Sequence, residues 1–182
     1  MRNGQFDLSG RVAIVTGGNG GIGLGMARGL ADAGAAVAVV GRNEAKSAAA
    51  VEDLGKRGVK AIAVATDVTD KAAVAAMVER VIGELGRIDI LVNNAGMSIR
   101  KPPHELELDE WSKVIDTNLT SAFLCSKAAY PALKASGHGK IINIGSMMSI
   151  FGASFAAAYA ASKGGIVQYT RACANAWALD NI

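Results

Sequence analysis

Short, almost wholly apolar runs alternate with longer amphipathic stretches along the chain. Five runs predict β-strands, at Val12–Thr16, Ala36–Val40, Lys60–Ala65, Ile88–Asn93 and Lys140–Ile144. A strand that is apolar at nearly every position is typical of a parallel sheet with helices packed on both faces. We therefore expect all five strands to be covered on both sides.

Helices are predicted between the strands, because apolar residues recur there at intervals of three and four. They cover Ile22–Ala33, Glu44–Arg57, Lys71–Leu85, Leu108–Ala135 and Ala157 to about Leu179. Asp70 is the expected N-cap of the third helix, and Gly34, Gly58 and Gly86 are stop signals. The alternation predicts an α/β fold with a doubly wound parallel sheet, formed by a single domain over residues 1–182.

Composition and charge narrow the function classes. Of the 182 residues, 51% are hydrophobic and 19% are charged, which is enough apolar material for a packed core and excludes a disordered chain. The net charge of +3 is too small and too evenly spread to indicate a nucleic acid or an anionic membrane as partner. We expect a small-molecule ligand instead.

Cysteines and histidines give no sign of a disulfide or a metal. Cys125 and Cys173 lie far apart without a CxxC spacing, so we expect two reduced thiols. His104 and His138 form no cluster with cysteines or carboxylates, and we assign no metal site. The N-terminal segment lacks a signal-peptide pattern, so a cytoplasmic location is expected.

A glycine-rich turn joins the first predicted strand to the first helix, in the order Thr16-Gly17-Gly18-Asn19-Gly20-Gly21-Ile22-Gly23. Glycines let the backbone turn sharply and approach a pyrophosphate, whose charge is favoured at a helix N-terminus. The turn therefore predicts a Rossmann-like dinucleotide site with Gly17, Asn19, Gly21, Ile22 and Gly23 in contact with the cofactor. For this motif alone, a glycine-rich surface turn remains the alternative.

The end of the second strand bears on the choice of cofactor. It reads Val40-Gly41-Arg42-Asn43, and the first carboxylate is Glu44 in the following helix. A carboxylate at this position would hold the ribose hydroxyls of NAD, whereas a guanidinium suits the 2′-phosphate of NADP. We predict NADP as the preferred cofactor over NAD, with Arg42 as the discriminating residue. The alternative is that Arg42 stacks on adenine or faces solvent.

Three residues near the fifth strand form a candidate catalytic group. Tyr159 and Lys163 are one helical turn apart and share a helix face, and Ser146 lies just past the strand. An ammonium group near a tyrosine stabilises the phenolate, which makes the tyrosine a better base. The Ser146 hydroxyl could then hold the substrate oxygen while Tyr159 exchanges a proton with it.

With these motifs the chain resembles the short-chain dehydrogenase/reductase family over essentially its whole length. Further matching motifs are Asp67-Val68, Asn93-Asn94-Ala95-Gly96 and Asn118. The resemblance implies that Asp67 and Val68 contact adenine, and that Asn94, Ala95 and Gly96 line the adenosine side. It also implies a catalytic tetrad of Asn118, Ser146, Tyr159 and Lys163. In that tetrad Asn118 would relay protons through water to Lys163, and Tyr159 and Lys163 would also contact the cofactor.

The resemblance implies reversible hydride transfer between a nicotinamide and a secondary alcohol or ketone. The sequence around Ser146 and Tyr159 is most similar to that of the sugar-acid and polyol dehydrogenases, of the gluconate and 2-deoxygluconate type. Arg100 and Lys101 could attract a substrate carboxylate, although a solvated pair is the other interpretation. A 3-oxoacyl-(acyl-carrier-protein) reductase is the alternative activity, and a non-catalytic nucleotide-binding subunit is a third hypothesis.

Two expectations about the whole protein also come from the resemblance. Members of the family pair their long helices across subunits, which implies a homotetramer. They continue beyond the catalytic helix with further strands and a substrate lid, which are absent from these 182 residues. We therefore expect the chain to be a fragment, or the ordered part, of a longer protein.

Overall fold

A five-stranded parallel sheet forms the centre of the computed structural model, which describes residue 4 and residues 6–182. Its strands are β1 (Val12–Thr16), β2 (Ala36–Val40), β3 (Ala61–Val64), β4 (Ile90–Asn93) and β5 (Lys140–Asn143). They lie in the order β3-β2-β1-β4-β5, and every neighbouring pair is parallel. The predicted α/β fold with a parallel sheet is confirmed, and the strand order reverses between β1 and β4.

Six α-helices connect and cover the described strands. They are α1 (Gly21–Asp32), α2 (Glu44–Gly55), α3 (Lys71–Leu85), α4 (Leu108–Ile115), α5 (Ser121–Ala135) and α6 (Ala157–Trp177). The single helix predicted over Leu108–Ala135 is wrong in one respect, because a π-helical turn at Asp116–Thr120 divides it into α4 and α5. Asp70 caps α3 as predicted, accepting hydrogen bonds from the amides of Ala72 and Ala73.

Alternate residues of each central strand face opposite sides of the sheet, and each side has its own apolar core. Val12 and Ile14 of β1 pack with α3 and α5, whereas Ala13 and Val15 pack with α1 and α2. This arrangement explains the uninterrupted apolar runs of β1 and β2, because neither face of those strands meets water. The two cores hold the strand ends in place, and these ends carry the candidate site.

The fifth strand departs from the expectation that every strand is covered on both faces. Lys140 is exposed, and so is 45% of Ile142. These two residues lie opposite Ile90 and Val92 of β4, on the face that α1 and α2 cover further along the sheet. Since β5 is at the edge of the sheet, its apolar sequence does not guarantee burial on that face.

A buried carboxylate ties the beginning of β1 to the beginning of β4. Asp89 accepts hydrogen bonds from the Val12 amide, from Arg11 and from two nitrogens of Arg87, all at 2.7–2.9 Å. Burial by itself would raise the pKa of Asp89, but these donors outweigh it and hold the pKa below its ordinary value. The ionised form is therefore the one that the fold stabilises.

We expect Asp89→Asn to lower the free energy of unfolding by about 3 kcal/mol at pH 7, because the buried Val12 amide and two arginines lose a charged acceptor. A group with a lowered pKa in the folded state stabilises the fold above its unfolded pKa of about 3.9, and this contribution is lost as the pH falls through the folded pKa. Urea denaturation of wild type and variant at pH 7 and in acid should therefore show a difference that shrinks in acid.

The matched control is Asp53→Asn, which removes a more exposed carboxylate paired with Arg28. Its cost should be clearly smaller than that of Asp89→Asn, because a surface ion pair contributes little to stability. Equal losses for the two variants would contradict the structural role assigned to Asp89.

Candidate active site

The glycine-rich turn forms the tight connection between β1 and α1 that a phosphate-binding site requires. Gly17 adopts a positive φ of 64°, a conformation that favours glycine. A Cβ on Gly23 would lie 2.2 Å from the Gly17 carbonyl oxygen, so no larger residue fits there without moving the turn. No acidic residue lies in the first turn of α1, where Gly21 and Ile22 are exposed, and this helix end therefore suits an anion.

Hydrogen bonds join this turn to the end of β4. The Thr16 hydroxyl accepts from the amides of Asn94 and Ala95, each at 3.0 Å. In return the Asn94 side-chain amide donates to the carbonyl oxygens of Thr16 at 2.9 Å and Gly17 at 3.3 Å. The side chain of Asn94 thus supports the glycine turn, a contact that the sequence pattern did not indicate.

A cleft of about 810 Å³ opens at the carboxyl ends of β1, β2, β3 and β4. Seven of the predicted cofactor residues line it, namely Gly17, Asn19, Arg42, Asp67, Val68, Ala95 and Gly96. Its size lies within the usual range for small-molecule sites, about 300–1,000 Å³. Lining residues that the sequence interpretation missed include Lys46, Thr66 and Lys113. Lys46 could have been noticed, since it lies in the first turn of α2, close to Arg42 in sequence.

Arg42 lies at the open side of this cleft. Its guanidinium is 78% exposed and lies 3.9 Å from a carboxylate oxygen of Asp67. Hydrogen bonds from the backbone and hydroxyl of Thr69, together with the charge of Arg42, hold the pKa of Asp67 below its ordinary value. An ionised carboxylate therefore faces the Arg42 guanidinium.

The three candidate catalytic residues come together where β5 meets α6. Tyr159 and Lys163 share a face of α6, with the Lys163 ammonium 5.7 Å from the centre of the Tyr159 ring. Lys163 is only 5% exposed, and its Nζ donates to the Ile144 carbonyl at 2.6 Å. Burial lowers the pKa of Lys163 from its ordinary value. Ser146 follows β5 directly, and its Oγ accepts from the Met148 amide at 3.2 Å.

Asn118 is buried in the π-helical turn and holds two neighbouring segments. Its side chain accepts from the Met97 amide at 2.7 Å and donates to the Met97 carbonyl at 2.9 Å and to the Ser162 hydroxyl at 3.0 Å. Ser162 in turn donates to the Tyr159 carbonyl at 2.8 Å. The Asn118 amide is thus hydrogen-bonded to the backbone of the loop that follows β4 and to the turn of α6 that carries Tyr159. Ser162 is a further residue that the sequence interpretation missed.

The two cations after β4 have different surroundings. Lys101 forms an ion pair with Glu110 at 2.5 Å, so it is not the solvated cation that the sequence suggested. The Arg100 guanidinium instead lies over the Phe155 ring, 5.6 Å from its centre. A hydrogen bond from the Lys101 amide to the Phe155 carbonyl holds this loop beside the segment that leads to Tyr159.

Two general features concern the described residues only. They contain no group of three or more histidine, cysteine or acidic side chains placed to hold a metal ion. None of the helices formed by residue 4 and residues 6–182 has the length and apolarity needed to cross a membrane.

Comparison with known proteins identifies the family. The model of the short chain dehydrogenase family matches residues 11–182. The 2-dehydro-3-deoxy-D-gluconate 5-dehydrogenase of Escherichia coli (strain K12) is 40% identical over 97% of this chain and 70% of its own length. The chain thus spans about 70% of that relative.

Solved structures agree with the family assignment. A gluconate 5-dehydrogenase from Burkholderia cenocepacia J2315, in complex with NADP and tartrate, superposes with a TM-score of 0.93 and 40% identity, over 98% of this chain and 70% of that one. An NAD⁺-bound xylitol dehydrogenase superposes with a TM-score of 0.93 and 35% identity, over 98% and 68% of the two chains. The chain belongs to the short chain dehydrogenase family of oxidoreductases.

Proposed function

We propose that the protein transfers hydride reversibly between a nicotinamide cofactor and the secondary alcohol or ketone of a sugar acid or polyol. The observation that carries the proposal is the pairing of Tyr159 with the buried Lys163 on one face of α6, to which the Ser146 backbone is linked through the Ser149 hydroxyl. Relatives named as gluconate-type and xylitol dehydrogenases support the substrate class.

The residues present fit a dinucleotide. The contact between Gly23 and Gly17 leaves the β1–α1 turn without side chains that would obstruct a pyrophosphate. The cleft beyond the turn has room for the adenosine half, with Val68 and Ala95 among its apolar walls. A nicotinamide cofactor held there would supply the hydride chemistry at the substrate carbon.

The chain's own residues supply the proton and the orientation. In reduction the Tyr159 hydroxyl gives its proton to the substrate oxygen, and in oxidation the phenolate takes that proton back. Lys163 stabilises the phenolate by its charge, and the Ser146 hydroxyl donates a hydrogen bond to the substrate oxygen. Asn118 remains proposed as part of the proton path, and its bonds to Met97 and Ser162 support a second contribution, the alignment of α6.

Exposed apolar side chains on α4 and α5 support assembly of several copies, as in the proposed homotetramer. Leu108, Trp111 and Phe123 are 79%, 37% and 45% exposed in the single chain. Apolar groups of this size on neighbouring helices are typical of a protein contact surface.

Replacing Tyr159 by Phe tests the proposed chemistry. The variant keeps the ring but loses the exchangeable proton, so kcat for gluconate or xylitol oxidation should fall by about 10²–10⁴-fold. Binding of NADPH, followed by its fluorescence, should change by less than about threefold, since the phenol makes one of many cofactor contacts.

Tyr130→Phe is the matched control, because Tyr130 lies on α5 and its hydroxyl bonds to Asp180, in the 3₁₀ turn that follows α6. This control should keep wild-type kcat. A Tyr159→Phe enzyme with unchanged kcat would overturn the mechanism.

Arg42→Ala tests the preference for NADP. Loss of a charged hydrogen bond to the 2′-phosphate should weaken NADPH binding by about 10–100-fold, whereas NADH binding should change little. Titration of NADPH and NADH against wild type and variant gives the ratio of the two dissociation constants for each protein. Arg28→Ala, which removes an arginine paired with Asp53, should leave both affinities unchanged. Equal weakening of NADPH and NADH would contradict the assignment of Arg42.

Arg100→Ala tests the sugar-acid substrate. We assign the substrate carboxylate to Arg100, because Glu110 already neutralises Lys101. The KM for gluconate should rise by about tenfold or more, and the KM for xylitol, which has no carboxylate, should change by less than about twofold. If the protein instead turns over 3-oxoacyl thioesters and no sugar acid, the acyl reductase is the correct activity.

A further inference from the structure

We propose that Ser149 is a positioning residue that aligns Ser146 with the catalytic face of α6. The inference rests on the proposed function, because the purpose of the alignment is to bring the Ser146 hydroxyl and the Tyr159–Lys163 pair to the same substrate atom. Ser149 lies three residues after Ser146, in the 3₁₀ turn Met147–Ser149.

One hydroxyl group links the two parts of the site. Ser149 Oγ accepts a hydrogen bond from the Ser146 amide at 3.1 Å and donates one to the Lys163 carbonyl at 2.6 Å. A serine hydroxyl has a single proton to donate, and here that proton is committed to Lys163. Ser149 therefore acts through Ser146 and Lys163 rather than on the substrate.

The 3₁₀ turn holds Ser146 from two further directions. The Ser149 amide donates to the Ser146 carbonyl at 2.9 Å, and the Met148 amide donates to Ser146 Oγ at 3.2 Å. The bond from Met148 occupies a lone pair of the Ser146 oxygen, so the hydroxyl keeps its own proton for the substrate oxygen. The turn thus fixes both the backbone and the side-chain direction of Ser146.

Lys163 is held by the same segment at both of its ends. Its carbonyl receives the Ser149 hydroxyl, and its ammonium donates to the Ile144 carbonyl at 2.6 Å. A Cβ on Gly145 would lie 3.3 Å from Ser149 Oγ, a tight contact, so the space beside the Ser149 hydroxyl suits glycine at this position. Residues 144 to 149 therefore form a bracket around Lys163, and Ser149 closes it.

The bracket matters for rate because hydride and proton transfer require the reacting groups at a defined separation. A displacement of about 1 Å in such a group can lower a rate by about 10²-fold. Without the Ser149 hydroxyl, the Ser146 amide loses its hydrogen-bonded link to α6, and only the bond from Lys163 to the Ile144 carbonyl still joins this loop to the Lys163 side chain. The proposed cofactor cleft at β1, β2 and β3 keeps its own contacts. We therefore expect removal of the Ser149 hydroxyl to lower kcat and to leave cofactor binding nearly unchanged.

Ser149→Ala and Ser149→Thr are the test variants, assayed with gluconate or xylitol and NADP. We expect Ser149→Ala to lower kcat by about 10–100-fold, with KM and the NADPH dissociation constant within about threefold of wild type. Ser149→Thr keeps the hydroxyl and should recover most of kcat. A kcat within twofold of wild type for Ser149→Ala, or no recovery with threonine, would overturn the inference.

Ser136→Ala is the matched control. The Ser136 hydroxyl also bridges two backbone groups, donating to the Leu133 carbonyl and accepting from the His138 amide, but it lies before β5 at the opposite end of the strand. The control should keep wild-type kcat. A loss equal to that of Ser149→Ala would mean that any broken serine bridge lowers activity, and the positioning role would be wrong.

Amide hydrogen exchange separates this inference from the proposed function. If wild type turns over neither sugar acids nor polyols with NADP or NAD, the proposed function fails by itself. The hydrogen bond between Ser149 and Ser146 is then tested by the exchange rate of the Ser146 amide. We expect this rate to be about fivefold faster than in wild type in Ser149→Ala and unchanged in Ser136→Ala. Unchanged exchange in Ser149→Ala would overturn the link as well.

Discussion

The hydrogen bonds between Thr16 and Asn94 are the contact on which both halves of the site depend. They join the ends of β1 and β4, which are neighbours in the sheet although 78 residues separate them in sequence. On one side of this junction lie β2 and β3 with the cleft, and on the other lie β5 and α6 with Ser146, Tyr159 and Lys163. A cofactor that crosses the junction can reach both sides, which is the usual position of ligands where the strand order of such a sheet reverses.

Buried polar groups, in addition to apolar packing, hold the segments that carry the proposed catalytic residues. The side chains of Asn118 and Ser162 connect the Met97 backbone to the turn of α6 that carries Tyr159. The π-helical turn that interrupts the α4–α5 stretch places Asn118 inside the molecule, and such turns often occur at functional sites. Each of these groups would leave an unpaired donor or acceptor if removed, so the network specifies one arrangement rather than several.

The charges of the site are distributed in a way that fits its proposed chemistry. Lys163 is almost fully buried with a carbonyl as its hydrogen-bond partner, which keeps an ammonium close to Tyr159. At the other end, Arg42 and Lys46 line an open part of the cleft, and the Arg42 guanidinium lies 3.9 Å from the Asp67 carboxylate. A phosphate group could compete with this weak, exposed pair, because screened surface ion pairs contribute little energy.

The sequence by itself determined the fold class, the strand positions and the family. Strands that are buried on both faces appear as uninterrupted apolar runs, and these runs and the glycine-rich turn are local patterns. It also named Ser146, Tyr159 and Lys163, since a one-turn spacing on a helix already places two side chains on one face. It could not show that Glu110 neutralises Lys101, that β5 leaves Ile142 exposed, or that the predicted helix from Leu108 contains a π-helical turn. Those features, and the role of the Asn94 side chain in supporting the glycine turn, come from contacts between segments far apart in the chain. Local propensity carries no information about such contacts, so only the tertiary structure decided them.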